Sequence, residues 1–196
     1  MTLPLFPLTT VLFPGCNLDL QIFEARYLDM IGRCMKQGGG FGVVCITEGE
    51  QVGRAPDSFA AFGCQAVIED FQQQDNGLLG IRVKGGQRFE VDDFELRKDN
   101  LLVADVRWLD DEPDKPLEED NDDLLALLMA LADHPMVAGL DMASRVSGQH
   151  DLGYQLAYLL PFDDEDKIQM LAINSPTQRL AAIQDLLDRL QKELLA

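Results

Sequence analysis

The side chains best suited to chemistry are Ser147, His150 and Asp151, which lie close together in the sequence. A serine, a histidine and a carboxylate can form a nucleophilic triad, but triads are assembled in space from separate parts of a chain. This cluster falls in a polar stretch, so we interpret it as an exposed loop. The other histidine, His134, precedes Pro135 and is typical of a helix terminus.

The cysteines and carboxylates do not have the spacing of a metal site. No pair among Cys16, Cys34, Cys45 and Cys64 has C-x-x-C spacing, so we interpret them as buried thiols in a reducing compartment. Residues 163–166 (DDED) lack the spacing and the glycine of an EF-hand loop, and solvated helix caps explain them. We therefore expect no metal, no cofactor and no catalytic residue.

The charge of the chain restricts its partners. Its 196 residues carry a formal net charge of -18, which disfavours binding to nucleic-acid phosphates and to anionic lipid surfaces. The N-terminus lacks the positively charged region of a signal peptide, and no apolar run reaches the ~18 residues of a membrane span. We therefore expect a cytoplasmic protein with no nucleic-acid partner and no membrane partner.

The first half of the chain has the pattern of short β-strands separated by turn residues. Pro14 and Gly15 predict one turn, residues 75–77 (DNG) predict a hairpin, and Gly85 with Gly86 predicts a further turn or bulge. Strands at this spacing favour a closed or half-closed barrel over a parallel sheet. The predicted strands cover residues 3–8, 17–23, 41–47, 63–70, 78–84, 87–97 and 101–109.

One helix interrupts these strands, over residues 24–37, and the glycines at 38–40 end it. Its first residues include Glu24, which suits a helix N-terminus, and Arg26, which can pair within the same turn or reach the barrel. Apolar side chains three and four residues apart predict its buried face. That face comprises Leu28, Ile31 and Met35, extended by Tyr27 and Cys34.

The second half begins with an acidic stretch and then changes to a helical period. Residues 110–123 hold nine carboxylates and one lysine, which predicts a solvated linker. Residues 124–131 are apolar on most sides and predict a buried helix, and residues 152–160 predict a second. Asp163 or Asp164 can cap a third helix.

The last helix has a strong start signal at Ser175, Pro176 and Gln178, which fit the N-cap, first helical position and capping box. Its apolar stripe would suit either a core or the seam of a homodimer. The stripe comprises Leu180, Ile183, Leu187, Leu190 and Leu194.

Several motifs, in order, resemble the amino-terminal, substrate-binding domain of Lon proteases, and the resemblance covers nearly the whole chain. The opening block is the most specific because its prolines, its glycine and its Glu-x-Arg-Tyr fall in register. One departure is Ala172, where a second leucine is common. The motifs are LPLFPL (3–8), VLFPG (11–15), LDLQIFEARY (18–27), FGVV (41–44), GQRF (86–89), GYQLAYLLP (153–161) and RL (179–180).

The resemblance implies an α+β fold, namely a PUA-like β pseudo-barrel with one embedded helix, followed by a C-terminal α-helical bundle. We expect one Lon N-terminal domain over residues 1–196. Residues 1–112 would form the barrel and residues 117–196 the helical part, joined by the acidic linker.

The resemblance implies a non-catalytic module that binds unfolded or specific protein substrates. The chain has no Gly-x-x-x-x-Gly-Lys-Ser/Thr loop for ATP and no Ser–Lys protease region. One alternative is a regulatory partner of full-length Lon, which predicts direct association; another is an unrecognised hydrolase, which predicts converging carboxylates or a metal. The candidate binding or supporting surface comprises Arg26, Tyr27, Phe89 and Trp108.

Overall fold

A computed structural model describes residues 1–73, 75, 77–142 and 146–194, and all structural statements concern these residues. The chain forms two compact units, Met1–Leu109 and Asp110–Ala196. Strands build the first unit together with one helix, and helices build the second, so the predicted α+β class is confirmed. No helix in the described part of the chain is long and apolar enough to cross a membrane.

The first unit contains six strands. The strands predicted over residues 78–84 and 87–97 are a single strand in the structure. The break predicted between residues 84 and 87 is wrong, because Gly85 and Gly86 lie inside one strand, β5 (Leu79–Leu96). The register against β4 (Ser58–Gln73) passes from Cys64–Arg88 to Ala66–Gly85, so β5 carries one extra residue there, as in the predicted bulge. Of the predicted hairpin turn, Asn76 lies outside the described residues. The strands are β1 (Thr2–Leu8), β2 (Asn17–Ile22), β3 (Phe41–Glu48), β4 (Ser58–Gln73), β5 (Leu79–Leu96) and β6 (Leu102–Trp108).

The strand order closes on itself. The sheet runs β2-β5-β4-β3-β1-β6, and β6 also pairs with the second half of β5, which makes a five-stranded pseudo-barrel. Only the β1–β3 pairing is parallel among the strand pairs described. β2 lies outside this ring and adds to the first half of β5. The strands β2, β5 and β4 therefore form a three-stranded extension of the barrel.

An aromatic side chain fills the barrel, and two glycines make room for it. Phe89 is fully buried in a cluster with Leu3, Leu5 and other apolar residues. A Cβ at Gly42 would lie 2.7 Å from the tip of its ring, and a Cβ at Gly63 would overlap the same atom. Both positions therefore need glycine for space rather than for backbone conformation.

Helix α1 covers Ala25–Gln37, but the face it buries differs from the predicted one. Leu28 and Met35 are exposed, so their assignment to the buried face is wrong, whereas Ile31 is buried as expected. Tyr27 and Cys34, which the prediction added to this face, are buried, and Tyr27 packs on Phe6 of β1. The buried residues of α1 are Arg26, Tyr27, Met30, Ile31 and Cys34.

The second unit contains five helices in its described residues. The helix predicted over residues 124–131 is not buried on most sides: it buries Leu124 and Leu128 only, and Met129 is exposed. The last helix begins at Pro176 as predicted, and its stripe turns inward through Leu180 and Ile183. The helices are α2 (Asp122–Ala132), α3 (Pro135–Ala138), α4 (Gln149–Leu159), α5 (Asp164–Ala172) and α6 (Pro176–Leu194), with a 3₁₀ turn over Glu119–Asn121.

The acidic stretch is bound to the second unit at its proline-containing end. The carbonyls of Lys115 and Pro116 accept hydrogen bonds from the backbone and side-chain nitrogens of Gln149 at 2.9 and 3.2 Å. The Asp114 carboxylate accepts the backbone N–H of His150 at 2.9 Å. It therefore serves as an N-terminal cap of α4 supplied from outside the helix.

Candidate functional site

The serine, histidine and carboxylate near residue 150 do not form a triad. Ser147 Oγ donates to Asp151 Oδ2 at 2.6 Å, which leaves the histidine out of the pair. His150 Nδ1 accepts from Arg179 Nη1 at 3.1 Å, because a guanidinium can only donate. His150 Nε2 therefore carries the proton and donates to the Glu112 carbonyl at 2.7 Å. Both ring nitrogens are used in structural contacts.

The same network surrounds a fully buried cation. Arg179 is completely buried, and its guanidinium carbon lies 3.9 Å from the centre of the Tyr154 ring. It donates to Tyr154 Oη at 3.0 Å, to the Met170 carbonyl at 3.3 Å and to the Ile173 carbonyl. Tyr154 Oη donates a hydrogen bond to Asp111 Oδ1 at 2.6 Å. Such a network is typical of a core held together by satisfied polar groups.

Metal chemistry finds no support in the described part of the chain. No group of three or more histidine, cysteine or acidic side chains there is placed to hold a metal ion. The described cysteines are all free and buried.

Two of the residues predicted for the binding or supporting surface lie at the start of α1. Arg26 is buried, forms an ion pair with Glu24 at 2.9 Å, and donates from Nη1 to the Asn100 carbonyl at 2.8 Å. The Tyr27 ring stacks at a tilt on Phe6, with 4.0 Å between the ring centres. Burial raises the pKa of Tyr27 to about 12. Their geometry suits support of a surface more than direct contact with a ligand.

The other two predicted residues lie in and next to the barrel core. Phe89 is fully buried, and its ring meets that of Trp108 edge to face at 6.0 Å. Trp108 is half-buried and donates from Nε1 to the sulfur of Met1 at 3.4 Å. The four residues thus do not form one cluster, and their role in binding stays a prediction.

A small depression of about 20 Å³, with apolar and polar lining residues, lies beside Tyr27. Its rim carries Phe23, 51% exposed, and Val52, 52% exposed. The segment that carries Val52 is fixed by Gln51, whose side-chain oxygen accepts from the backbone N and the hydroxyl of Thr9 at 3.1 and 3.0 Å. The lining residues are Phe6, Gln21, Ile22, Phe23, Glu24, Tyr27, Gln51 and Val52.

A polar hollow of about 550 Å³ lies on the three-stranded extension. The register places two rows of residues across the strands β2, β5 and β4: Asp19–Arg82–Asp70 and Gln21–Gly80–Gln72. Because side chains alternate along a strand, both rows lie on one face of the sheet. Gly80 has no side chain, so the centre of the second row is open between the two glutamines.

The charges of this hollow are fixed by one bidentate pair. Arg82 donates from Nε and Nη2 to the two Asp19 oxygens, both at 2.7 Å. These hydrogen bonds hold the pKa of Asp19 below its usual range. The same bonds, with the fields of Asp19, Asp70 and Glu69, raise the pKa of Arg82. The charged lining residues are the carboxylates Asp19 and Asp70 and the cation Arg82, so the lining of the hollow is net negative.

Gln21 lines both the depression and the hollow, so the two are continuous along β2. We call them together the β2 surface. One pattern in the sequence corresponds to the β2 surface. Asp-x-Gln occurs at residues 19–21 and again at 70–72, and the strand between them in the sheet carries Gly-x-Arg at 80–82. The signal becomes meaningful only once the pairing of the strands is known.

Comparison with known proteins places nearly the whole chain in one family. Over residues 2–189 the sequence matches the family described as the ATP-dependent protease La (LON) substrate-binding domain. The crystal structure of a Lon N-terminal domain protein from Xanthomonas campestris is 31% identical, with a TM-score of 0.76, and the match covers 94% of this chain and 98% of that one.

Two more distant relatives widen the comparison. The N-terminal domain of the Mycobacterium avium complex Lon protease superposes with a TM-score of 0.64 at 17% identity, over 94% of this chain and 97% of that one, which shows the shared fold. Protein cereblon from Danio rerio is 27% identical over 248 residues, covering 95% of this chain. The chain spans 56% of the length of that relative.

Proposed function

Because this chain belongs to the Lon substrate-binding domain family, we propose that it binds polypeptide segments, unfolded or from a specific partner, through the β2 surface. The domain of this family is non-catalytic, and the residues with chemical capacity near His150 are engaged in structural contacts. Binding, rather than conversion, is the role that this chain would perform.

The observation that carries the proposal is the exposed apolar rim beside β2. Phe23 and Val52 each expose about half of their side chains, and they line one depression. Exposed apolar side chains grouped in one place are typical of sites that bind another protein. The buried Phe6 and Tyr27 below them give the depression a rigid floor.

The dimensions of the surface suit an extended segment. The six residues of β2 span about 20 Å at the usual strand rise, which matches a peptide of about six residues. The adjoining hollow of about 550 Å³ falls within the ~300–1,000 Å³ typical of ligand clefts. Gln21 and Gln72 offer amide donors and acceptors that can bond to a peptide backbone.

The test compares two exposed phenylalanines of similar accessibility. Phe23 is 51% exposed on the β2 surface, and Phe94 is 54% exposed on β5, next to Phe59. Binding of a fluorescently labelled model protein, kept unfolded by reduction and alkylation, is measured by anisotropy. We expect Phe23→Ser to weaken binding about tenfold, or about 1.4 kcal/mol, and Phe94→Ser to leave it unchanged.

A thermal melt of each variant checks that folding is retained, and Val52→Ser provides a second variant in case Phe23→Ser disturbs the start of α1. Equal binding by the wild type and both β2-surface variants would contradict the proposed site. The absence of binding by the wild type would contradict polypeptide recognition itself.

The identity of a specific partner is a separate question. A regulatory role with full-length Lon predicts that the two proteins associate directly. Size-exclusion chromatography of the mixed proteins tests this prediction, with co-elution as the supporting outcome. Separate elution at micromolar concentrations would count against it.

A further inference from the structure

We propose that the β2 surface selects segments in which a lysine or arginine lies about four residues from an apolar side chain. The inference rests on the proposed function and adds the chemical class of the substrate. The two ends of the β2 surface differ in character.

The apolar end takes the apolar side chain. Phe23 and Val52 form a half-exposed rim over the buried rings of Phe6 and Tyr27. An apolar side chain placed there removes apolar surface of both partners from water, at about 25 cal/mol per Å². Glu24 also lines this depression, but it forms an ion pair with Arg26 at 2.9 Å.

The lining of the other end holds two carboxylates, Asp19 and Asp70, and one cation, Arg82. The bidentate pair joins Arg82 to Asp19, so those two charges offset each other. Asp70 lies on the far side of Arg82 in the same row, and Glu69 precedes it; both carboxylates act on Arg82 through their fields. A cationic side chain entering the hollow therefore meets an attractive potential, whereas an acidic side chain meets repulsion.

The distance between the two ends sets the spacing in the substrate. Phe23 follows Asp19 by four residues, which corresponds to about 13 Å along an extended chain. Asp70 lies two strands away from Asp19, or about 10 Å across the sheet. A side chain as long as that of lysine or arginine can reach across this width while its backbone follows β2.

The experiment uses three labelled peptides that are identical except at one position. Each carries a phenylalanine, and the residue four positions away is lysine, glutamine or glutamate. Dissociation constants are measured by anisotropy with the whole protein at low ionic strength and again at 0.3 M salt, a concentration that screens exposed charges. We expect the order Lys, Gln, Glu, with about fivefold to tenfold between the extremes and a smaller span in salt.

A matched pair of substitutions locates the effect. The carboxylates of Asp70 and Asp93 each accept the backbone N–H of the following phenylalanine at 2.8 Å, and both residues are exposed on strands. Asp70→Asn should at least halve the ratio of the affinity for the lysine peptide to the affinity for the glutamate peptide. Asp93→Asn changes the net charge equally but lies away from the β2 surface, so the ratio should stay as in the wild type.

The outcomes separate the inference from the proposed function. Equal affinity for the three peptides, lost in Phe23→Ser, would overturn the charge preference and leave the polypeptide site standing. A lysine preference that Asp70→Asn and Asp93→Asn reduce alike would overturn the assignment to this hollow, because net charge alone would then explain it. No binding of any peptide would remove the proposed function and the inference together.

Discussion

The two units of this protein fill their interiors by different means. The barrel unit places an aromatic ring, Phe89, against two glycines that leave space for it. The helical unit places a guanidinium, that of Arg179, among carbonyls, a tyrosine and a histidine. The first interior depends on shape and the second on hydrogen-bond satisfaction, so they should respond to different kinds of substitution.

Removal of the buried cation should have the largest effect. Arg179→Met leaves the Met170 carbonyl and the His150 Nδ1 atom without this donor inside the helical unit. We expect a loss of about 3–5 kcal/mol in the free energy of unfolding, because several buried acceptors lose their donor at about 1–3 kcal/mol each. Urea unfolding monitored by circular dichroism measures it. A loss below about 1 kcal/mol would show that the network is not what specifies this unit.

A change of shape in the barrel should come next. Gly63→Ala forces a methyl group into the tip of the Phe89 ring, and we expect a loss of about 1–3 kcal/mol. Gly32→Ala is the control, because a Cβ at that position in α1 meets nothing within 4 Å. That control should stabilise the protein by about 0.5–1 kcal/mol. Similar changes in both variants would refute the role of space around Phe89.

Ionisation of Tyr27 should lower the free energy of unfolding at alkaline pH. Its pKa is raised by burial to about 12 in the folded protein, whereas an exposed tyrosine titrates near 10. The buried phenol therefore makes the folded protein lose stability above pH 10. The free energy of unfolding falls by about 1.4 kcal/mol at pH 11 and continues to fall as the pH rises towards 12. Tyr27→Phe should flatten this fall in urea-unfolding free energy between pH 9 and 11. An unchanged slope would contradict it.

The exposed pair between Asp19 and Arg82 should have the smallest effect. Its hydrogen bonds lower the pKa of Asp19, so the stabilisation is present above the ordinary aspartate pKa and is lost as the pH falls through that of the folded protein. Solvent screening limits the loss in Asp19→Asn to below about 1 kcal/mol at pH 7. Thermal melts at pH 7 and pH 3 should show a smaller difference between variant and wild type at pH 3.

Sequence periodicity predicted the elements better than it predicted their packing. The motifs shared with Lon domains indicated the barrel and helices, and Ser175 with Pro176 marked the start of α6 correctly. The buried face of α1 was predicted in part: Tyr27, Ile31 and Cys34 are buried, whereas Leu28 and Met35 have the spacing of a core stripe but are exposed. Periodicity reports the rows of a helix and not which row meets the core.

The β2 surface was harder to predict from the sequence than the buried face of α1. Arg26, Tyr27 and Phe89 are prominent in the family motifs, but all three are buried. The open rim and hollow depend on which strands pair, and on Gly80 falling between Gln21 and Gln72. Register of this kind arises from the whole sheet and is not encoded in any single segment.

The measurement that tests polypeptide binding at the β2 surface most directly is hydrogen–deuterium exchange of the whole protein with and without an unfolded polypeptide. We predict slower exchange in the segments that build the β2 surface, at residues 17–24, 51–52, 70–72 and 80–82. The exposed segment around Phe94, at residues 93–96, should exchange at an unchanged rate. Protection confined to other segments, with residues 17–24 unaffected, would contradict the assignment of polypeptide binding to this surface.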